Sequence, residues 1–328
     1  MNFLFSTTRF SRSLRPLALA TLALVAAAPA SIACSVCGCS LSSDWAAQGY
    51  ATNPGPEAAV RYEYFDQTDL RSGTGSVNRA TLGFPNDSEI QQRTLNRNTV
   101  LDLSDVLDPS WAISATIPWH DRLHTTIAAG DTDLSTTYAS GLGDVRLLAR
   151  YQNFSGDHSF GLQAGLKLPT GRFDQNFTAG PQSDGPLDRG LQLGTGTTDL
   201  LAGASWFARP ATSVGFFAQA MFDQPLAARE GFLPSASLTL SSGVRWLNAS
   251  LFTPQLQLNV KTETREHGAQ ADTPNSGGII AYLSPGLTAE VTTRVSGFVF
   301  VQLPVYQRVN GLHLEPKWIL SLGMRMKL

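Results

Sequence analysis

The last eleven residues of the chain, Trp318 to Leu328, alternate strictly between apolar and polar side chains. The apolar set is Leu320, Leu322, Met324, Met326 and Leu328, and the polar set is Ser321, Gly323, Arg325 and Lys327. Because the side chains of a β-strand point to opposite faces in turn, this segment predicts a strand with one wholly apolar face. A soluble sheet can bury such a face on a core. The two cations on the other face favour a membrane barrel, with lipid outside and a watery lumen inside.

The composition agrees with a barrel and excludes other classes of protein. A net charge of -2 with 15% charged residues excludes a strongly basic nucleic-acid-binding protein, so we expect no nucleic acid partner. After residue 30, no apolar run approaches the ~20 residues that a membrane helix needs. Barrel strands leave no such run because every second residue is polar.

The N-terminal residues have the pattern of an export signal. Three arginines within residues 9–15 precede an apolar stretch over residues 16–28. Small residues then allow cleavage before Ser31 or before Cys34. We therefore expect residues 1–33 to be a signal peptide. Export of a barrel predicts a location in the outer membrane of a bacterium with two membranes.

From about residue 57, the chain has the pattern of twelve strands. They are predicted near residues 57–70, 95–107, 111–126, 141–155, 159–173, 190–208, 212–227, 232–247, 251–267, 277–284, 291–309 and 314–328. Short connections near 108–110, 156–158, 208–212, 248–250 and 284–287 alternate with longer ones near 71–94, 127–140, 174–189, 228–231 and 268–276. Membrane barrels have short periplasmic turns and longer extracellular loops, and an even strand number brings both termini to the periplasmic side.

This alternation favours a barrel over a soluble β-sandwich, which has no reason to sort its connections by length. The predicted fold class is therefore all-β, an antiparallel transmembrane β-barrel of about twelve strands. We divide the chain into a signal peptide (1–33), a Cys-rich periplasmic segment (34–56) and the barrel (57–328). The last strand is expected to close the barrel against the first, near Ala59 to Phe65.

Strand parity assigns a set of charged residues to the lumen. They are Arg61, Glu63, Asp102, Arg122, Asp144, Arg146, Arg150, Lys167, Asp199, Arg245, Lys261, Arg325 and Lys327. Charged side chains of both signs can line an aqueous pore and bias its ion selectivity. It can equally form ion pairs that seal a barrel of this size. The sequence leaves both interpretations open.

Two histidines, His120 and His124, share the parity of Arg122 and could face the lumen with it. A two-histidine metal site is one interpretation, and incidental histidines at the rim are the simpler one. No spacing of Ser, Asp and His singles out a nucleophile with its base, so we expect no enzyme. An outer-membrane hydrolase is the enzymatic alternative.

Four short motifs occur in a fixed order in the middle of the chain. They are Ile117-Pro118-Trp119, Gly141-Leu142-Gly143-Asp144-Val145-Arg146, Gly165-Leu166-Lys167-Leu168-Pro169-Thr170-Gly171 and Leu193-Gly194-Thr195-Gly196-Thr197-Thr198-Asp199. This set resembles the outer-membrane β-barrel transporter family linked by name to the meta-cleavage pathway of phenol degradation, over roughly residues 57–328. The resemblance implies a barrel, export, and passage of small molecules, with aromatic compounds as candidates. It implies no catalytic residues, and the N-terminal CxxCxC segment departs from the family pattern.

All three cysteines lie within six residues, at Cys34, Cys37 and Cys39. Cys34 and Cys37 have the C-x-x-C spacing used in thiol exchange, which suggests a disulfide. Three thiolates on a short Gly-containing turn also suit Cu(I) or Zn(II), with Cys39 as the third ligand. A lipidated Cys34, or no special role, is the third interpretation. The odd number of cysteines leaves room for a periplasmic thiol or metal-handling protein as a partner.

The sequence thus predicts an outer-membrane channel for small solutes. Its Cys-rich periplasmic head would bind a soft metal ion or act as a redox-linked gate. The alternative is a non-conducting barrel that anchors this segment, or a docking partner, at the membrane. The other expected partners are outer-membrane lipid, the barrel-assembly machinery and a small-molecule solute.

Overall fold

The computed structural model of the protein describes Leu41, Gln48 and residues 54–155, 157–247 and 251–328. Its strands are β1 (Gly55–Gly73), β2 (Gly75–Ser76), β3 (Ile90–Val106), β4 (Trp111–Ile127), β5 (Ser135–Leu142), β6 (Val145–Ser155), β7 (His158–Leu168), β8 (Asp199–Ala211), β9 (Val214–Pro225), β10 (Ser237–Trp246), β11 (Phe252–Glu263), β12 (Gly278–Glu290), β13 (Val295–Pro316) and β14 (Ile319–Lys327). Short 3-10 helices occupy Arg79–Thr81, Arg189–Leu191 and Thr273–Asn275. No helix in the described ranges is long and apolar enough to cross a membrane. The predicted signal peptide and the three cysteines lie outside the described residues.

The strands form one antiparallel sheet that closes on itself. Each barrel strand pairs with its neighbours in the chain, and β14 pairs with β1 to complete the ring. The two-residue β2 only extends a loop, and β5 and β6 are two parts of one barrel strand, since both pair with β4. The wall therefore has twelve positions, which confirms the predicted closed barrel.

The closing seam joins the two ends of the barrel sequence. β1 pairs with β14 from Glu57 opposite Lys327 to Tyr64 opposite Leu320, close to the predicted register. Alternation within β14 is also as predicted, because Met324 is 60% exposed on the outer face while Ser321 is fully buried on the inner face. The backbone groups at both edges are thus paired, as a barrel in lipid requires.

A tight reversal lies inside the element β13. Its residues up to Val309 pair with β12, whereas Leu314 pairs with Leu70 of β1. The chain turns back between them at Asn310-Gly311, where Gly311 has a φ of 62° that a residue with a Cβ seldom adopts. This is where the sequence predicts a break between the eleventh and twelfth strands.

Connections alternate in length as predicted. Short turns join β3 to β4, β6 to β7, β8 to β9, β10 to β11 and β12 to β13, and they lie at one end of the barrel with Gly55 and Lys327, here called the short-turn end. The longer connections lie at the opposite, long-loop end. Several predicted boundaries were wrong. Residues 135–140, predicted as part of a connection, belong to β5. Residues 284–287 continue β12 and the turn follows Glu290, and residues 190–198, predicted as strand, belong to a loop. Gly and Pro near residues 190 and 284 do not distinguish a strand from a loop, because both occur in each.

The outer face of the barrel is apolar and carries aromatic side chains near its ends. At the short-turn end, Trp111, Trp206 and Trp246 are each more than 40% exposed. Trp119, also on the outer face, lies eight residues further along β4. Eight residues span roughly 26 Å along a strand, or about 20 Å along the barrel axis at a tilt of ~40°. This spacing suits two aromatic girdles around an apolar band in lipid.

Candidate solute pathway

The interior of the barrel contains a cavity of about 400 Å³ towards the long-loop end. Its charged lining residues are Arg61, Glu63, Arg122, Asp144, Arg146, Lys167, Arg189, Asp223, Lys261, Glu263 and Glu266. Apolar side chains, such as Phe65, Met221 and Phe232, line it as well. Both signs of charge therefore meet in one polar chamber.

Many of these charges form ion pairs along the wall. Arg61 Nε lies 2.7 Å from Glu63 Oε1 on the same strand, and its guanidinium also lies 3.5 Å from Asp102 Oδ2. Lys261 Nζ lies 2.6 Å from Glu263 Oε1. These pairs join residues two apart on one strand or diagonally placed on the next, so they run along the wall and do not cross the lumen.

The longest connection, residues 169–198 between β7 and β8, folds against the inner face of the barrel and is called the inner loop. Its side chains Phe177, Leu187 and Leu191 form a buried apolar cluster. Arg122, which projects from β4, donates a 2.6 Å hydrogen bond from Nη1 to the carbonyl of Leu191. The ring of Phe177 lies 6.4 Å from that of His124 on the same strand. The inner loop therefore forms one wall of the cavity.

The four short motifs noted in the sequence meet where the inner loop joins the wall, a point called the motif junction. Asp144, between β5 and β6, accepts a 3.0 Å hydrogen bond from the N–H of Gly171 at one end of the loop. At the other end of the loop, Thr195 donates to Asp144 Oδ2 from its N–H and its hydroxyl, both at 2.8 Å. The N–H of Gly143 donates to the carbonyl of Pro118, which brings in the fourth motif. One carboxylate thus fastens both ends of the inner loop.

Close backbone packing explains a glycine at this junction. A Cβ on Gly194 would lie 2.5 Å from the carbonyl oxygen of Gly171 and 2.6 Å from Asp144 Oδ1. Distances under 3 Å force the backbone or the carboxylate to move. The motif therefore requires glycine because the two ends of the loop touch through their backbones.

A guanidinium holds the inner loop to the neighbouring loop. The Cζ of Arg189 lies 4.4 Å from the ring centroid of Phe173 and 5.0 Å from that of Phe232, within range of cation–π attraction. Phe232 belongs to the connection between β9 and β10. The cavity is thus bounded at the long-loop end by two loops, and the guanidinium of Arg189 contacts an aromatic ring from each of them.

Buried carboxyl groups also meet at the long-loop end. Asp188 of the inner loop is almost completely buried, and its Oδ1 accepts a hydrogen bond from Gly190 N. Burial, followed by the nearby carboxylates of Glu266, Glu89 and Asp272, holds the pKa of Asp188 well above its ordinary value. Since these groups come from three different connections, the protonation of Asp188 affects how the loops pack.

The two histidines do face inwards with Arg122, but they have separate partners. His120 Nδ1 lies 3.0 Å from Asn98 Oδ1, and His124 Nδ1 lies 2.8 Å from Thr94 Oγ1. No group of three or more His, Cys, Asp or Glu residues with metal-binding geometry occurs among the described residues. The arrangement favours histidines that bond neighbouring strands.

The remaining predicted lumen residues lie outside the cavity lining. Asp199 pairs with Lys167, and Arg150 is half-buried on β6. Arg325 forms a buried pair with Glu57 across the seam, at 2.6 Å. Lys327 lies at the end of β14.

Residues that precede the barrel contact its inner face at the short-turn end. Leu41 is buried against Phe298 and Phe300 near the start of β13. The carbonyl of Gln48 accepts a hydrogen bond from Nη1 of Arg245, near the end of β10. Cys34, Cys37 and Cys39 lie outside the described residues, so their pairing or metal binding stays a prediction.

The predicted lumen set omits several charges on the inner face, including Asp223, Glu57 and Arg189. Asp223 and Glu57 have inward parity on β9 and β1, so the alternation could have found both. Arg189 lies in a loop without periodicity, and only the tertiary contacts show that it reaches the cavity.

The family model described as "Putative MetA-pathway of phenol degradation" matches residues 71–185. The predicted family resemblance is confirmed. The match contains three of the four motifs that meet at the motif junction, and it is shorter than the predicted extent of 57–328. A search of the curated proteins gives no match.

One solved structure shows the same fold. The chain superposes on an outer membrane channel from Pseudomonas putida F1 with a TM-score of 0.64 and 11% identity, covering 88% of this chain and 99% of that one. For the NanC porin the TM-score is 0.46 with 12% identity, covering 83% and 100%. At this identity, the first comparison establishes the fold of an outer-membrane β-barrel.

Proposed function

We propose that the protein is an outer-membrane channel for small solutes. The observation that carries the proposal is the polar cavity inside a closed barrel, bounded by a loop that is fastened to the wall at both ends. Such a loop narrows a lumen without filling it, which is how a barrel selects solutes by size and charge. The apolar outer face would contact lipid, and β14 would be recognised by the barrel-assembly machinery.

In this proposal the short-turn end faces the periplasm, together with both ends of the barrel sequence. Short turns on that side and long loops outside are the rule for outer-membrane barrels. The signal peptide predicted over residues 1–33 would export the chain. A protease added to intact cells tests the orientation, since it should cut the long loops and spare the short turns.

The test of function is the conductance of the purified protein in planar lipid bilayers. Stepwise single-channel currents support the channel. A variant without residues 174–189, joined by a short Gly-Ser linker, should conduct more because the inner loop narrows the path. A folded barrel that shows no current, with or without this deletion, would refute the channel.

One observation favours the alternative, a non-conducting barrel. Inward polar side chains outside the cavity lining, such as Gln257, Gln302 and Ser321, are fully buried, so the path is narrow at that level. The conductance measurement separates the two functions. A silent barrel that retains a periplasmic partner on affinity purification would support the anchor.

The Cys-rich segment belongs to the finer part of the proposal. Leu41, which follows the cysteines in the sequence, contacts Phe298 near the short-turn end, and this contact supports a periplasmic location for the Cys-rich segment. The cysteines would bind Cu(I) or Zn(II), or form and break a disulfide, at the periplasmic mouth of the channel.

This part is tested by comparing the wild type with a Cys34/Cys37/Cys39→Ser variant. Bound metal and free thiols are measured on both proteins, and conductance is repeated under oxidising and reducing conditions. A difference in metal content supports the metal site, and a redox-dependent current supports the gate. Identical results for the two proteins would refute both roles and leave the channel proposal intact.

A further inference from the structure

Two charges meet across the barrel interior instead of along its wall. Arg146 Nη2 on β6 lies 3.3 Å from Asp223 Oδ2 on β9, although β7 and β8 separate these strands. Neighbouring strands lie ~4.8 Å apart, so β6 and β9 are roughly 14 Å apart along the wall. The side chains therefore meet by reaching through the lumen, in the cavity that both of them line.

The pair belongs to a row of four charges on neighbouring strands. Arg146 lies directly opposite Lys167 on β7, and Lys167 lies directly opposite Asp199 on β8. Asp223 follows on β9, two residues from the partner of Asp199. Lys167 and Asp199 form their own ion pair. The row thus has two adjacent cations followed by two adjacent carboxylates.

The outer pair is the one that can respond to solutes. The side chain of Arg146 is 45% exposed to the cavity, whereas those of Lys167 and Asp199 are nearly buried. Asp223 Oδ1 is buried and has no hydrogen-bond partner within the described part of the chain, and Asp223 Oδ2 lies 3.3 Å from Arg146 Nη2. The half-exposed Arg146 side chain can therefore contact a solute in the cavity, whereas the carboxylate of Asp223 stays buried.

We propose that the Arg146–Asp223 pair sets the charge selectivity of the channel. This rests on the proposed channel function and adds the residues that determine which ions pass. When Arg146 and Asp223 are paired, the four charges of the row sum to zero, and the two side chains narrow the cavity. Loss of either partner leaves one unbalanced charge in the cavity that both side chains line.

The two single variants are expected to change selectivity in opposite directions. Asp223→Asn leaves two cations against one carboxylate and should favour Cl⁻ over K⁺, whereas Arg146→Gln leaves two carboxylates against one cation and should favour K⁺. One unit charge ~7 Å from a permeating ion in water changes the occupancy of that ion by about threefold, and in opposite directions for K⁺ and Cl⁻. The permeability ratio should therefore shift by up to roughly sevenfold. The shift in the permeability ratio should shrink as salt is raised from about 0.1 M to about 1 M, because the electrostatic screening length shortens.

Reversal potentials are measured in a KCl gradient across planar bilayers. The Arg146→Gln/Asp223→Asn double variant should return to the wild-type permeability ratio with a larger conductance, since the pair no longer crosses the lumen. The control is Asp157→Asn, which breaks the exposed Arg209–Asp157 pair (3.0 Å) at the short-turn end and should change neither quantity.

Each outcome decides one question. If the wild type conducts and both single variants keep its permeability ratio, the selectivity role is refuted and the channel stands. If the folded wild type does not conduct, the channel proposal itself fails. Should Asp223→Asn not fold, as judged by heat-modifiable migration in gels, Arg146→Gln still tests the proposal because its side chain is half exposed.

Discussion

Replacing Asp144 by alanine should release the inner loop from the barrel wall. The carboxylate is 8% exposed and accepts hydrogen bonds from two donors of Thr195 and one of Gly171. A hydrogen bond to a charged group contributes ~1.5–3 kcal/mol, and contacts that share one acceptor group do not add fully. We therefore expect the docking of the loop to weaken by roughly 3–6 kcal/mol, which is two to four orders of magnitude in its equilibrium.

The barrel itself should remain folded in this variant. Asp144 lies in the break between β5 and β6, so its removal leaves the strand ladders of β4, β6 and β7 unchanged. The loss should therefore be local, in the loop, and the heat-modifiable gel shift of the barrel should persist.

Hydrogen–deuterium exchange and limited trypsin digestion test this prediction. Amides of residues 169–198 should exchange faster, and cleavage after Arg189 should appear, while strand amides keep their protection. The control is Asp174→Ala on the same loop, whose side chain is 69% exposed and forms an ion pair with the equally exposed Arg172. Unchanged protection of the loop in Asp144→Ala would refute the assignment of Asp144 as its fastening point.

Three further predictions concern the seam, the loop packing and the junction. Arg325→Gln should lower the free energy of unfolding in urea by about 3–5 kcal/mol, because it leaves Glu57 charged and buried at the seam, and Glu57→Gln in the same chain should recover part of the loss. Asp188 has a pKa raised above its unfolded value, so the packing that it supports is complete at low pH and is lost as pH rises through the raised pKa. Loop amide exchange is therefore measured from about pH 4 to about pH 8, and each rate is divided by the intrinsic rate at that pH, because base catalysis accelerates exchange in every protein. The resulting protection should fall with pH in the wild type and stay flat in Asp188→Asn, and flat protection in the wild type would contradict this. Gly194→Ala should loosen the inner loop to trypsin, because its Cβ would meet the carbonyl of Gly171, and intact loop protection would contradict the close contact.

The sequence was enough to predict the barrel. Twelve segments with a period of two, connections that alternate in length and an amphipathic last strand each follow from local rules that hold for every residue of a strand. Inward positions such as Arg61, Lys167 and Arg325 came from the same parity, and the structure places them on the inner face. The boundaries near residues 190 and 284 were wrong because Gly and Pro occur in strands as well as in loops.

The motifs of the inner loop could be recognised but not explained from sequence. Asp144, Gly171 and Gly194 are up to 50 residues apart, and no periodicity predicts that they touch. Alternation gives the face of a strand on which a side chain lies, and it carries no information about which loop covers that face.

The sequence by itself determined the kind of wall this protein builds, because lipid and water impose the same alternation on every strand. The tertiary structure decided what happens inside that wall. It fastened the inner loop to Asp144, brought Arg189 to the cavity and joined Arg146 to Asp223 across two intervening strands. Those contacts depend on the curvature of the barrel and on the length of each side chain. The distances between the residues are set only when the sheet closes.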